Sequence, residues 1–105
     1  MAQLLGHQIE ESQEIDKLVK NLVGEVSKLN SNIKSIQPAH PEHEANGKAM
    51  IERTGKIRGR PLHYPYVGTG AGNGCYVELE DGSIKMDLIN GIGIHLMGHG
   101  NSRVM

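Results

Sequence analysis

The segment "CYVELEDGSIKMDL", residues 75–88, carries the clearest local structural signal in this chain. Two runs with apolar residues at alternate positions flank the dipeptide Asp81-Gly82, which is typical of a two-residue hairpin turn. With Glu80 facing Ser83, the apolar face pairs Leu79 with Ile84, Val77 with Met86 and Cys75 with Leu88, and the other face pairs Glu78 with Lys85. The pattern therefore predicts an antiparallel hairpin, with the Cys75 thiol on its apolar face as unreactive packing.

A further strand is predicted directly after the hairpin, over residues 89–97. Apolar residues at 92, 94 and 96 alternate there with Gly91, Gly93 and His95. Glycine inside a strand often marks a bulge or the close approach of a ligand or of another backbone. The sequence leaves open which of these applies at Gly91 and Gly93.

Four glycines at every second position precede the hairpin, at 68, 70, 72 and 74. A phosphate-binding loop needs a different glycine spacing and a helix that begins directly after it. Here a strand follows instead. We therefore interpret this segment as a flexible approach to the hairpin.

The first half of the chain predicts one long helix over residues 8–36, ended by Pro38 and Pro41. Its apolar residues recur at steps of four and three, which places them along one stripe: Ile15, Val19, Leu22, Val26, Leu29, Ile33 and Ile36. The stripe is compatible with packing against the same protein or with self-association. A shorter helix is predicted from His43 to Lys56.

The fold class that follows is α+β, with amino-terminal helices before a small antiparallel sheet. The two parts are predicted as a helical extension, residues 1–59, and a sheet-bearing segment, residues 60–105. Three aromatic residues and one cysteine among 105 residues favour a small core without disulfides. Further protein is therefore expected to complete the core.

Composition excludes several classes of partner. The net charge of −1 gives no general attraction to nucleic acid, and no apolar run has the length of a membrane span. The start of the chain lacks the pattern of a signal peptide, so a cytoplasmic location is expected. His95 and His99 are four residues apart but have no cysteine or carboxylate at a suitable spacing, so no metal site is predicted.

Residues 72–105 resemble the amino-terminal signature of class III aminotransferases, the group of the acetylornithine, ornithine and 4-aminobutyrate aminotransferases. The elements that carry the resemblance stand in the family's order: Gly74, Asp81-Gly82, Asp87, Gly91-Ile92 and Gly98-His99. The preceding run at 60–70, "RPLHYPYVGTG", looks like the lead-in of that family. Together these elements cover about the last two-fifths of the chain.

The resemblance implies a fragment of a homodimeric fold-type I transferase that depends on pyridoxal phosphate. Such an enzyme moves an amino group between a small amine or amino acid and a 2-oxo acid. Gly91 and Ile92 are then substrate-binding residues, with Ile92 against the substrate's chain. The resemblance places the Schiff-base lysine and the cofactor's main ligands downstream, so no catalytic or cofactor-binding residue is assigned here and the fragment alone is expected to be inactive.

Two other functions stay open at this point. The helix stripe is compatible with a dimerisation or interaction module that has no catalytic activity. A small metal-binding protein that uses His95 and His99 is a weaker alternative.

Overall fold

The computed structural model describes residues 2–89 and 97–104 and has the α+β architecture that the sequence predicts. The helices are α1 (Leu5–Glu11), α2 (Gln13–Asn30) and α3 (Pro41–Arg58). The strands are β1 (Gly68–Asn73), β2 (Tyr76–Leu79) and β3 (Ile84–Met86), which form an antiparallel sheet in the order β1-β2-β3.

The prediction of one helix over residues 8–36 is wrong at both ends and in the middle. Ser12 adopts an extended conformation between α1 and α2, and its side chain accepts a hydrogen bond from the backbone N–H of Ile15. A serine that caps a helix in this way competes with continuing the preceding one. The apolar stripe therefore begins after this break: its residues from Ile15 to Leu29 lie on α2, and Ile33 and Ile36 lie beyond the end of that helix.

Helix α2 ends at Asn30, before the predicted proline stop, because three poor helix formers stand there in succession, Asn30, Ser31 and Asn32. The Ser31 hydroxyl donates to the carbonyl of Lys28, which closes the last turn. The chain then bends and buries Ile33, whose carbonyl accepts a hydrogen bond from the Asn73 side chain at 2.9 Å. This bond joins the end of α2 to β1.

The structure confirms the shorter second helix and extends it to Pro41–Arg58. Proline suits the first turn of a helix, and His40 caps α3 by accepting the N–H of Glu42 at Nδ1. Gly59 closes the other end in a left-handed conformation, with φ of 85°. The predicted region of residues 43–56 lies inside these caps.

The hairpin is present, but its predicted register is wrong by one residue. The observed pairs are Tyr76 with Met86, Val77 with Lys85 and Glu78 with Ile84. The N–H of Gly82 donates to the carbonyl of Leu79, and that of Leu79 donates to the carbonyl of Ser83. These bonds define a three-residue loop, 80–82, instead of the two-residue turn.

Asp81 stabilises this loop. Its carboxylate accepts the Ser83 hydroxyl at 2.6 Å and the Ser83 backbone N–H at 2.9 Å. Both bonds lower the pKa of Asp81 below its ordinary value, and the bond from the Ser83 hydroxyl has the larger effect. Ser83 itself is buried.

The register shift separates residues that were expected on one face. Leu79 and Ile84 are both buried but lie on opposite faces of the sheet. Cys75 is exposed, which contradicts its predicted packing role. Because both faces are covered, strict alternation of apolar and polar residues is not required.

The glycine-rich approach is also corrected, because residues 68–73 form strand β1. It pairs with β2, and the register shifts between Gly68 and Gly72. Gly70, with φ of 100°, lies within that irregularity. A bulge with a glycine in this conformation bends the strand without ending it.

The core is small and lies on both sides of the sheet. Leu79 shares a cleft with Gly47 and Ile51 of α3, whereas Ile84 shares one with Leu29 and Ile33. Paired backbone bonds between Gln37 and Ile84 extend the sheet edge beyond β3. In the described part of the chain, no helix has both the length and the apolar composition to cross a bilayer.

Candidate functional site

A short polar contact between the end of the hairpin and the segment from residue 97 joins Asp87 and His99. Nε2 of His99 lies 2.7 Å from Oδ2 of Asp87, and the two side chains are 20 % and 21 % exposed. A carboxylate can only accept, so His99 donates from Nε2. Partial burial excludes much of the competing water and strengthens this bond.

Backbone contacts hold His99 in place from the other side. His99 and Gly74 form an isolated antiparallel bridge, with N···O distances of 3.0 and 2.7 Å. A Cβ on Gly72 would lie 2.5 Å from Cβ of His99, so only glycine admits this approach. The Gly-His pair therefore docks against the glycine-rich end of β1.

Gly98 also approaches a neighbouring segment so closely that only glycine fits there. Its φ is 77°, and a Cβ at this position would lie 2.9 to 3.0 Å from backbone atoms of Gly74. A side chain would be excluded by both its conformation and its neighbour. Gly98 is therefore required for the docking of His99.

Asp87 continues the hairpin and orients its carboxylate through its own backbone. Its N–H donates to the carbonyl of Cys75 at 2.7 Å, and its Oδ1 accepts the N–H of Ile89 at 3.0 Å. The carboxylate thus fixes the start of the segment that follows the hairpin. Through Oδ2 it also fixes the end of that segment at His99.

The predicted substrate-binding residues, Gly91 and Ile92, lie outside the described residues. His95 and most of the predicted strand over residues 89–97 also lie outside the described residues. In sequence, Gly91 and Ile92 stand between Asp87 and His99. Asp87 and His99 carry part of the family resemblance, but the sequence did not predict them as site residues.

The described residues do not fit the role of holding pyridoxal phosphate. A lysine that reacts with the cofactor's aldehyde needs an amine whose pKa is lowered by burial or by nearby charge. All seven lysines are described and exposed: Lys17, Lys20, Lys28, Lys34, Lys48, Lys56 and Lys85. No step of cofactor chemistry is assigned to them.

A second group of ligand-type side chains lies at the start of α3. The ligand atoms of His40, Glu42 and His43 lie within 4.8 Å of one another, and all three residues are exposed. This group was not predicted from the sequence, although the spacing His-x-Glu-His at the start of a helix could have indicated it. Nδ1 of His40 already accepts the N–H of Glu42, and the positive end of the helix dipole disfavours a cation.

An apolar groove of about 540 Å³ runs between the second half of α3 and the segment 59–65. Ile51, Leu62 and Pro65 line it, together with the charged residues Glu52 and Lys56. The groove lies on the α3 side of the chain, and the Asp87–His99 contact contributes no residue to it.

Comparison with protein-family models, with curated proteins and with solved structures finds no match to this chain.

Proposed function

We propose that this chain is the amino-terminal part of a pyridoxal-phosphate-dependent class III aminotransferase and forms one side of its substrate pocket. The contact between His99 and Asp87 carries the proposal. The family resemblance selects these residues, together with Gly74, by order and spacing alone. In the structure these residues meet through a 2.7 Å side-chain hydrogen bond and a backbone bridge. This contact supports the interpretation that they belong to one structural unit.

The glycines of the signature support the same interpretation. Gly98 and Gly74 approach so closely that a side chain on Gly98 would overlap the backbone of Gly74. A motif that requires glycine for a stated contact is more specific than one that merely contains glycine. The antiparallel sheet before the motif agrees with the start of the small domain of a fold-type I transferase.

The proposed role of the chain is to position the wall that carries Gly91 and Ile92. Asp87 holds the start of this segment and His99 holds its end, so both ends are anchored to the sheet. An anchored wall orients the substrate and excludes water from the reacting atoms. Gly91 leaves room for the substrate, and Ile92 contacts its chain.

Pyridoxal phosphate supplies the electron sink for amino-group transfer between an amine or amino acid and a 2-oxo acid. In the proposal its ligands lie downstream, because the described lysines are exposed and none fits that role. The intact enzyme is proposed to be homodimeric and cytoplasmic. This chain alone is proposed to be inactive.

The test uses the intact enzyme with Ile92→Ala. The ratio of kcat/KM for two amino donors that differ in chain length is expected to change, while the absorbance of bound cofactor stays the same. Ile57→Ala is the matched control, because Ile57 lies on α3 and is 81 % exposed. An unchanged donor ratio in the Ile92 variant would remove the assignment of this wall to the substrate pocket.

A further inference from the structure

The start of α3 carries three ligand-type side chains that the proposed function does not use: His40, Glu42 and His43. Their ligand atoms lie within 4.8 Å of one another, and all three residues are exposed. Imidazole nitrogen and carboxylate oxygen together form a donor set that suits zinc. The carboxylate of Glu42 and the ring nitrogens of His43 have no hydrogen-bond or ion-pair partner among the described residues.

The spacing of these ligand atoms is close to the spacing around a bound ion. Zinc bonds of about 2.0–2.1 Å place two ligand atoms of one tetrahedral ion roughly 3.4 Å apart. The ligand atoms therefore need to approach one another by at most about 1.4 Å. The rings of His40 and His43 are tilted by 48° with centroids 5.4 Å apart, so they are not stacked in parallel. Rotation of the exposed side chains provides this movement.

The backbone that carries the two histidines is fixed on both sides. On the helix side, the carbonyl of His40 accepts the N–H of His43 at 2.9 Å. On the other side, the N–H of His40 donates to the carbonyl of Asp81 at 2.8 Å. A Cβ on Gly82 would lie 2.8 Å from Cβ of His40 and 3.5 Å from Cδ2 of His43, so both histidines lie against the hairpin loop. Ligands on a fixed backbone lose less conformational freedom when they bind.

The charge around this group favours a cation, although the helix dipole opposes one. His43 shares a cleft with Glu78 and Glu80, and no ion pair between described residues neutralises either glutamate. The next lysine along α3, Lys48, already forms an ion pair within the helix. The positive end of a helix corresponds to roughly half an elementary charge, whereas each carboxylate carries a full negative charge. The carboxylates of Glu42, Glu78 and Glu80 together therefore outweigh the dipole.

Binding of a metal ion must break the hydrogen bond by which His40 caps α3. Nδ1 of His40 accepts the N–H of Glu42 at 3.3 Å, which is long for a bond of this type. An ion at Nε2 requires the ring proton on Nδ1, and an ion at Nδ1 occupies the acceptor itself, so either mode ends this bond. Because both residues are exposed, water replaces the lost acceptor.

We propose that His40, Glu42 and His43 form a surface site for one Zn²⁺ ion, with water completing its coordination. The bound ion holds the start of α3 more firmly against the hairpin loop, because two of its ligands already lie against Gly82. Zinc binding therefore stabilises the folded chain. The inference does not rest on the proposed enzyme activity, because all three ligands lie outside the aminotransferase signature.

The first test is calorimetric titration of the chain with zinc chloride in a Cys75→Ser background. The substitution removes an exposed thiol, which is itself a zinc ligand. Saturable binding of one Zn²⁺ per chain is expected, and the midpoint of thermal unfolding should rise with the zinc concentration. Absence of saturable binding would overturn the inference.

Three variants in the same background test the individual ligands. Loss of an outer-shell partner of a metal lowers its affinity about 10- to 100-fold, so His43→Ala, which removes a ligand, should raise the Kd at least about 10-fold. Glu42→Gln keeps the size of the side chain and should also raise the Kd. His40→Asn removes the imidazole but keeps a good helix cap, which separates loss of a ligand from loss of the helix. His63→Ala is the matched control, because His63 is exposed and lies outside the group.

An unchanged Kd in any of the three ligand variants would overturn the three-residue site, and an equal rise in His63→Ala would do the same. Long-range ¹H–¹⁵N NMR of the imidazole rings gives an independent measurement. Zn²⁺ should shift the ring nitrogens of His40 and His43 and leave those of His7 and His63 unchanged. Shifts confined to other histidines would assign the ion to a different place and contradict the proposal.

Discussion

Nε2 of His99 lies 2.7 Å from Oδ2 of Asp87, although the two residues are twelve positions apart in the chain. The contact joins the end of the hairpin to the segment that begins at 97. Gly74 completes the junction through its backbone bridge to His99. Four residues that carry the proposed family resemblance, Gly74, Asp87, Gly98 and His99, are thus part of one connected arrangement.

Removal of the Asp87 carboxylate is expected to destabilise the chain. Asp87→Ala leaves the half-buried Nε2–H of His99 without this acceptor and should lower the free energy of unfolding by about 1–3 kcal/mol. Urea denaturation followed by circular dichroism measures the change. His99→Ala should have a similar effect, and the double variant should lose less than the sum of both.

Glu25→Ala is the control for this prediction. The Glu25 carboxylate also forms a short contact, 2.9 Å to Nζ of Lys28, but both side chains are exposed. Exposed ion pairs within a helix contribute little to stability. An equal loss in both variants would contradict a special role for the Asp87–His99 contact.

Two of the helical glycines, Gly24 and Gly47, are expected to respond in opposite directions to alanine. A Cβ at Gly24 meets nothing within 4 Å, so Gly24→Ala should stabilise the chain by about 0.5–1 kcal/mol. A Cβ at Gly47 would lie 2.8 Å from Cβ of Asp81, which forces α3 away from the hairpin loop. Gly47→Ala should therefore destabilise by roughly 1–3 kcal/mol.

Thermal unfolding of the two variants measures this difference in one experiment. Both substitutions raise helix propensity by the same amount, so their difference reports packing alone. Stabilisation by both substitutions would show that α3 does not pack against the loop at Asp81.

The hairpin illustrates what the sequence could predict and what it could not. The Asp-Gly pair correctly indicates a turn, but it is compatible with both a two-residue and a three-residue loop. The choice between them depends on the hydrogen bonds that Ser83 donates to Asp81 and on the coverage of both faces of the sheet. Neither is visible in the alternation of apolar residues.

The helical region shows the same limitation. Periodicity finds the apolar stripe but does not indicate whether Ser12 faces solvent within a helix or caps the next one. At the site, the resemblance names Asp87 and His99 separately. Their contact depends on the close approach of Gly98 to Gly74, which is a long-range property of the fold.

The stability of the hairpin loop is expected to depend on the protonation of Asp81. Hydrogen bonds from Ser83 lower the pKa of Asp81 in the folded chain below the ordinary value of 3.8. The stabilisation is therefore fully present above that value and is lost as the pH falls through the lower folded-state pKa. Because Asp81 is only half-buried, screening by solvent keeps the effect small.

Asp81→Asn tests this dependence by removing the titrating group. At neutral pH the variant should be less stable than the parent chain, and the difference should shrink as the pH falls below 3.8. Urea denaturation at several pH values measures it. A difference that stays constant with pH would show that the carboxylate charge does not contribute.

The most direct test of the proposed function is to determine the reading frame downstream of the codon for Met105 and to express the intact protein. The proposal predicts a large domain that contains a Schiff-base lysine, together with the absorbance of bound pyridoxal phosphate and transfer of an amino group to a 2-oxo acid. A reading frame that closes without such a domain would contradict the aminotransferase.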